Sequence, residues 1–443
     1  MTIKVLDLFA GAGGLALGLE SVRDKSGRSV FEMFRAVEID RYACETLRTN
    51  FGKEKIIEGD LTKKVIHKKV VSECKGKVSV VAGGIPCQSF SLIGPRSGFG
   101  KKMDKFKQDK RDNLYGEFKK IVREIMPDIV IIENVRGILS KKDAKGRKII
   151  DKLISDFEKL GYNFNNEKDR QKYQILNSAD FGVPQFRERV ILIGIKKTWK
   201  DSDVPFIEPT HYNPSLEMTK EMEEKELLPY VALAEAIGDL PRVYAKLTYT
   251  DLSPEKIQKA KTENAKVFSG EDKMLFDKEK FAAFLRKVSE SGRQFFDFVR
   301  PNGYAYITHH VARSQQLSDM QLFEAMKEGE IAKDFVKRMP EKSKKLIKYD
   351  MKTFKDKYRK QRWNAPCSTV FAHLEKDGNR FIHPGQTRTI TPREAARIQT
   401  FPDDFGFCGP YSKKFRQIGN AVPPLLARRI GEYVYPKFLE VQE

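Results

Sequence analysis

The first twenty residues limit the fold more than any other stretch. Ile3 to Phe9, IKVLDLF, is a mostly apolar run of strand length that leads straight into Ala10-Gly11-Ala12-Gly13-Gly14 and then the apolar-periodic Leu15 to Leu19. This is a strand, a glycine loop and a helix in succession. Glycines at such a junction allow a tight turn and let a cofactor approach the backbone, as in nucleotide-binding α/β folds. A glycine-rich turn alone is weak evidence, so the following strand matters. Phe34 to Ile39, FRAVEI, carries Glu38 near its end, about twenty residues past the loop, where a carboxylate can accept hydrogen bonds from ribose hydroxyls. The spacing suits an adenosine-containing cofactor. A third short strand, Lys55 to Glu58, ends at Gly59-Asp60, where the carboxylate either meets an adenine amino group or serves as a turn residue or helix cap.

The run Val78 to Ala82 reads as a buried strand and delivers GGIPCQSFS, Gly83 to Ser91, at its carboxyl end. A thiol there, Cys87, stands where open α/β sheets keep their ligands and is a candidate nucleophile; the plainer reading is a small buried hydrophobe. Gly94 to Arg111 follows, with the basic run KKMDKFKQDKR, too polar for a core element and read as a phosphate-contacting lid, against the plainer reading of a solvated surface loop. Asp112 or Asn113 caps a helix reaching about Met126, Pro127 breaks it, and Asp128 to Ile132 forms another buried strand. That strand brings Glu133-Asn134-Val135 to the same edge, so a carboxyl group able to share a proton with a ring nitrogen faces the thiol; taken alone, the plainer reading is a carboxylate satisfied by backbone donors at a strand end.

Lys148 to Leu160 has the apolar spacing of a packing helix, and Tyr173 to Leu176 and Val190 to Ile195 read as paired strands. Between them Gln185-Phe186-Arg187-Glu188-Arg189 places two guanidiniums on one face of an extended segment, suited to substrate oxygens and phosphates or else to surface ion pairs. From about Asp201 to Gln361 the character changes to Lys-Glu runs with few clean strands, as expected of a separate domain. Within it His309 to Arg313 either contacts nucleic acid or packs locally, and paired histidines alone do not make a metal site. Thr391 to Phe401 reads as a helix with proline just inside its start, and Arg416 to Val422 precedes Pro423 and a last helix through Phe438.

The totals set outer limits. A length of 443 residues suggests roughly two to three domains, and 40% hydrophobic residues are ample for real cores. The N-terminus lacks a basic region followed by a long apolar stretch, and no run approaches the ~20 apolar residues of a membrane span, so a cytoplasmic protein is expected. Five scattered cysteines without CxxC pairs argue against a disulfide framework and a structural zinc site. A formal charge of +21 points to a polyanionic partner, nucleic acid foremost, against the alternative of a merely lysine-rich solvated surface.

Together these stretches resemble the cytosine-5 DNA methyltransferase family, because many separate motifs occur in the family's order. DLFAGAGG (Asp7 to Gly14), Glu38 and Asp60 look like its cofactor motifs, GGIPCQSFS its nucleophile motif, and Glu133-Asn134-Val135 its cytosine-binding motif. QFRER, TITPREAARIQTFP (Thr389 to Pro402) and RQIGNAV are similar to its later motifs. The departures are Ile85, where the family often has a second proline, and Ile39, where it often has an aromatic that stacks on adenine.

The resemblance implies an α/β, Rossmann-like S-adenosylmethionine-dependent methyltransferase fold with a large inserted target-recognition domain. The expected boundaries are 1–200 for the catalytic and cofactor-binding domain, 201–360 for target recognition and 361–443 for the return to the catalytic domain. It implies base flipping of a cytosine out of double-stranded DNA, with Cys87, Glu133, Arg187 and Arg189 as catalytic residues and no metal. S-adenosylmethionine would be held by Phe9, Ala10, Gly11, Gly13, Gly14, Leu15, Glu38, Ile39, Asp60, Leu61, Pro86, Leu114, Asn420 and Ala421. Arg393 and Arg397 would brace the fold. Cys367, also preceded by proline, is the rival nucleophile, set aside because NAPCSTV has no glycine pair. Asn213-Pro214-Ser215 falls short of the Asn-Pro-Pro-aromatic pattern that amino-group methylation needs. A monomeric modification enzyme of prokaryotic type is expected, with room for a cognate restriction endonuclease acting at the same site. The alternatives are a tRNA cytosine methyltransferase of the same fold and a DNA-binding regulator without turnover, which would need none of Cys87, Glu133 and Arg189.

Overall fold

The structure is a computed structural model that describes residues 2–86, 114–143, 146–248, 255, 258, 273–300, 304–347, 357–376 and 378–440. Cys87, the expected lid Gly94 to Arg111 and the expected caps Asp112 and Asn113 lie outside the described residues. The chain divides into two compact units, one of Met1–Phe181, Arg187–Pro209 and Ala421–Glu443, the other of Gly182–Phe186 and Thr210–Asn420.

The first unit is built on a sheet of β1 (Ile3–Leu8), β2 (Phe31–Glu38), β3 (Ile56–Glu58), β4 (Val80–Gly84), β5 (Ile129–Val135), β6 (Tyr162–Asn163), β7 (Gln174–Asn177) and β8 (Glu188–Lys196). Its order is β3-β2-β1-β4-β5-β8-β6, with β7 also paired to β8. The five strands β3, β2, β1, β4 and β5 run parallel, whereas β8 is antiparallel to β5, β6 and β7. Chain order turns back at the β1–β4 neighbours, which in a doubly wound α/β sheet opens a crevice beyond the carboxyl ends of the strands. This is a Rossmann-like arrangement.

Helices cover both faces because the parallel strands are apolar on both sides. On one face pack α3 (Lys64–Cys74), α4 (Leu114–Ile125) and α5 (Ile149–Glu158). In α4 the buried Phe118, Ile121, Val122 and Ile125 recur at helical spacing, and in α5 Ile150, Leu153, Ile154 and Phe157 do the same, so each helix turns one apolar stripe to the sheet. The other face holds Ala16 of α1 (Gly14–Glu20) and Cys44 and Leu47 of α2 (Arg41–Phe51), packed with Met33 and Ala36 of β2. The break after α4 is made as Pro127 predicts: Met126 takes a φ of 54°, outside the helical region that a following proline disfavours.

Asp7 sits within β1 but is only 1% exposed, and its Oδ2 has no hydrogen-bond partner among the described residues. Burial, with a smaller push from Glu38, raises its carboxyl to about 8, while a bond from the Ala16 backbone opposes the shift.

The second unit has short paired strands, such as Met274–Leu275 antiparallel to Tyr306–Ile307, and several helices. Its centre is the helix Pro392–Ile398, buried along its whole length despite carrying Arg393, Glu394 and Arg397. Thr391 caps it: Thr391 Oγ1 accepts from Glu394 N at 3.1 Å and Glu394 Oε2 accepts from Thr391 N at 2.7 Å. The charges are paired. Arg388 grips Glu394 with two bonds of 2.8 and 2.7 Å, and although burial alone would raise the Glu394 carboxyl, Arg388 holds it well below the usual carboxylate range. Arg397 reaches Asp403 with two bonds of 2.8 Å and also pairs with Asp239, and Arg300 meets Asp403 at 2.7 Å. These pairs join residues 239, 300 and 388–403, so the stretch 361–420 packs with the second unit and the chain rejoins the first at Ala421.

His309 and His310 are 7% and 1% exposed, so they pack inside this unit instead of presenting themselves to nucleic acid. His310 Nε2 lies 2.8 Å from the Pro241 carbonyl, which only accepts, so that nitrogen carries the proton and Thr391 Oγ1 donates to Nδ1 at 3.0 Å. Among the described residues no helix is long and apolar enough to cross a membrane.

Two outcomes are expected. Arg397→Leu leaves Asp239 buried without its cation and leaves Asp403 with Arg300 as its close partner, and should cost about 3–5 kcal/mol in urea unfolding; a loss below about 1 kcal/mol would contradict the bracing role. Asp7 binds its proton in the folded state up to about pH 8 but only to about 3.8 when unfolded. Its contribution is therefore fully present near pH 4 and is lost as pH rises toward 8. Asp7→Asn should flatten that fall, with a difference in slope approaching about 1.4 kcal/mol per pH unit between those limits; parallel pH curves for the two proteins would contradict it.

Candidate active site

The loop after β1 turns by left-handed backbone at Phe9 (φ 58°), Gly11 (φ 56°) and Gly13 (φ 82°). For Phe9, which has a side chain, that conformation stores strain of about 1–3 kcal/mol, a feature that clusters at ligand sites. At Gly11 the conformation is free of penalty, and a Cβ built there would meet nothing within 4 Å, so space lies open beside the backbone. Ala10 and Gly11 are half-buried, while Gly13, Gly14 and Leu15 are buried beneath them.

Glu38 closes this loop from the end of β2. Its Oε2 accepts from Gly11 N at 2.8 Å, and its Oε1 accepts from Ile39 N and Asp40 N, each at 2.8 Å. An ionised carboxylate has about four acceptor sites, so one remains for a hydroxyl. Ile39 beside it is 65% exposed, an apolar side chain at the rim with nothing covering it among the described residues. From the next strand, Gly59 N donates to Glu38 O at 2.8 Å, and Asp60 Oδ1 accepts from Thr62 N and Thr62 Oγ1 at 2.9 and 2.8 Å. Asp60 thus acts as a turn residue whose second carboxylate oxygen has no hydrogen-bond partner among the described residues, and Leu61 is buried in the core. Gly11, Glu38 and Asp60 therefore gather at one edge.

The same edge continues across β4 and β5. Gly84 is level with Glu133 in the register, and a Cβ on Gly84 would lie 3.1 Å from Glu133 Oε2. Beyond Gly84, the Ile85 carbonyl accepts from Asn134 Nδ2 at 3.4 Å, which ties the path toward residue 87 to the end of β5. Pro86 is half-buried and is the last residue described before Cys87. Glu133 forms an ion pair with Arg189, Oε1 to Nε 2.7 Å, and the two side chains are only 13% and 12% exposed. Leu114, half-buried, opens α4.

Arg187 and Arg189 do different work. Arg189 faces Glu133, whereas Arg187 is 1% exposed and donates from Nη2 to the Ala421 carbonyl at 3.0 Å. Burial, then the neighbouring Arg189, lowers the Arg187 guanidinium well below its ordinary value. Its backbone is held by Asn177 Oδ1 and Ser178, polar turn formers just after the strand expected at Tyr173 to Leu176, whose role no motif had announced. Ala421 is buried, and Asn420 is the exposed last residue of the helix Tyr411–Asn420 in the second unit.

Of the four cysteines among the described residues, Cys44, Cys74 and Cys367 are buried, and burial pushes each thiol up to about 12. A thiol in that range is inert at neutral pH. Cys367 is further occupied, its Sγ lying 3.4 Å from Gln361 Oε1. No group of three or more His, Cys, Asp or Glu among the described residues is placed to hold a metal.

These features can be set beside known proteins. Residues 3–435 match the family model of C-5 cytosine-specific DNA methylases. The chain is 30% identical to the type II methyltransferase M.NgoFVII of Neisseria gonorrhoeae over 99% of this chain and 88% of that one. It is 29% identical to the type II methyltransferase M.AgeI of Thalassovita gelatinovora over 98% and 99% of the two chains. The fold is also that of an E. coli prophage-encoded protein described as a DNA modification methyltransferase, with a TM-score of 0.63 at 23% identity over 99% of this chain and 100% of that one. A doubly wound sheet that gathers a glycine loop, Glu38 and Glu133 at one edge, in a chain matched from residue 3 to 435, belongs to the C-5 cytosine-specific DNA methylase family, enzymes that methylate cytosine in DNA.

Proposed function

We propose that the chain transfers a methyl group from S-adenosylmethionine to carbon 5 of one cytosine within a specific duplex DNA sequence. The observation that carries this reading is the Glu133–Arg189 pair at 2.7 Å, beside Gly84 on the strand that runs into Pro86 and Cys87. The cofactor fits the residues present. The open space at Gly11, the spare acceptor site of Glu38, the second oxygen of Asp60 and the exposed apolar Ile39 suit a ligand with a ribose and an adenine ring. Phe9, Ala10 and Gly11 would line it, with Gly13, Gly14, Leu15 and Leu61 supporting the loop; Pro86, Leu114, Asn420 and Ala421 complete the proposed set. When bound, S-adenosylmethionine supplies an electrophilic methyl group.

The chain's own residues do the rest. The target cytosine leaves the stack, because its carbon 6 is out of reach within the duplex. The Cys87 thiolate forms a bond to carbon 6, Glu133 hydrogen-bonds or protonates ring nitrogen 3, and Arg189 holds the exocyclic oxygen. Carbon 5 then carries the electron density that takes the methyl group. Loss of the carbon 5 proton restores the ring and breaks the sulfur–carbon bond, returning the Cys87 thiolate. Arg187 braces this arrangement from beneath.

Residues 201–360 are assigned target recognition, and the charge of +21 supplies the attraction to phosphates. The type II methyltransferases among the relatives favour a modification enzyme, here read as a cytoplasmic monomer whose methylation protects DNA from a cognate restriction endonuclease. Bisulfite sequencing of DNA from cells expressing the protein should give protected cytosines in one short sequence context, and none with Cys87→Ser. Full conversion in both samples would overturn the reading, and methylated tRNA beside unmodified DNA would favour a tRNA substrate.

A further inference from the structure

Within the second unit, the chain from Arg242 to Leu247 alternates in exposure: Arg242, Tyr244 and Lys246 are exposed, while Val243, Ala245 and Leu247 are half-buried. That is the period of an extended segment, whose successive side chains point to opposite sides. One side is fastened to the body of the unit. The Pro241 carbonyl accepts from His310 Nε2 at 2.8 Å, Val243 N donates to Gln386 Oε1 at 3.2 Å, and Arg388 Nε donates to the Val243 carbonyl at 3.1 Å. Further on, Leu247 bridges to Gln315 in parallel: Gln315 N donates to the Lys246 carbonyl at 2.8 Å, and Thr248 N to the Gln315 carbonyl at 3.0 Å. The anchors are themselves fixed, for His310, Gln315 and Arg388 are buried and Gln315 Nε2 donates to Thr389 Oγ1 at 3.0 Å.

Three side chains are thereby held outward in the order cation, aromatic, cation. Tyr244 is 78% exposed, more than any other large hydrophobic side chain among the described residues. Neither its hydroxyl nor the Arg242 guanidinium has a hydrogen-bond or ion-pair partner among them. A ring left in water adds nothing to the core, and an unpaired guanidinium beside it is open to an anion. The row suits one strand of a nucleic-acid backbone, with cations for phosphates and an apolar ring for the sugar between them, in a protein of net charge +21.

We propose that Arg242, Tyr244 and Lys246 form a contact strip for the DNA backbone: the two cations meet phosphates, Tyr244 lies against the sugars, and the strip sets the register of the duplex on this unit without reading its sequence. The inference rests on the reading of duplex DNA as the substrate. Because the strip is fastened along its inner side before DNA arrives, contact costs little ordering of its backbone.

The test is fluorescence anisotropy of the full chain on two labelled duplexes of unrelated sequence, over a series of salt concentrations, with melting temperatures measured alongside. Each phosphate contact contributes about 0.9 to the slope of log affinity against log salt. Arg242→Ala and Lys246→Ala should each flatten that slope by about 0.9, and so weaken binding about fivefold near 0.15 M salt, equally on both sequences. Arg242→Lys, which keeps the charge, should restore the slope, and Tyr244→Ala should weaken binding without changing it. Lys333→Ala takes the same charge from an exposed position on the helix Ala332–Arg338 of this unit and should leave the slope alone. If an alanine variant melts early, Arg242→Gln and Lys246→Gln carry the same measurement. Unchanged slopes in the Arg242 and Lys246 variants, an equal fall in Lys333→Ala, or a loss on one sequence only would overturn the strip while leaving wild-type duplex binding and methylation intact. Tight binding of tRNA by the wild type beside weak binding of both duplexes would instead defeat the substrate reading, and this inference with it.

Discussion

Everything proposed for this chain depends on the hydrogen-bond register of β2, β1, β4 and β5. In that register Leu8 is level with Val37 and with Gly83, and Gly84 with Glu133, so four parallel strands end together. Side chains alternate from face to face along a strand, so a slip of one residue would turn Glu133 away from Gly84 and carry Glu38 off the Gly11 amide. The apolar packing on both faces is what forbids the slip. Leu6 and Leu8 face α3 and α4 in one cluster, Met33 and Ala36 face α1 and α2 in another, and neither set can reach the other side. The core therefore sets the geometry of the edge, and the edge holds the candidate chemistry.

Much of this was legible because local signals and the tertiary arrangement agree. Apolar runs bounded by glycine or proline marked β1, β4 and β5, and the spacing from Gly11 to Glu38 suggested a carboxylate for ribose hydroxyls; the structure shows that carboxylate bonded to the Gly11 amide. Pro392 just inside Thr391 marked the start of a helix, and that helix carries a capping box made with Glu394. What stayed hidden depends on partners far away in sequence. Arg187 and Arg189 look equivalent two residues apart, yet Arg187 is buried under the carbonyl of Ala421, 234 residues on, while Arg189 meets Glu133. Gln185 gave no sign that its partners would be Val370, Ile398 and Gln399. His309 and His310 looked equally suited to contact or packing, and only their neighbours decide it.

Charge also divides in a way that composition conceals. The net of +21 suggests a surface made for phosphates, yet Arg187, Arg388, Arg393 and Arg397 are among the largest fully buried side chains. They hold carbonyls and carboxylates inside the two units instead of meeting DNA. Buried ion pairs add little net stability but are costly to break, which suits a scaffold whose internal arrangement must not drift while it handles a flexible substrate. In the proposed function the remaining lysines and arginines supply the long-range attraction, which is indifferent to sequence.

The most direct test of the account is to trap the reaction on DNA. A duplex carrying the methylated sequence with fluorine at carbon 5 of its target cytosine offers no proton to lose there, so a bond formed between the enzyme's nucleophile and carbon 6 should persist. Mass spectrometry of the digested adduct is expected to find the DNA on the peptide containing Cys87, and only when S-adenosylmethionine is supplied. An adduct on Cys367 or Cys408, or none at all, would contradict the account.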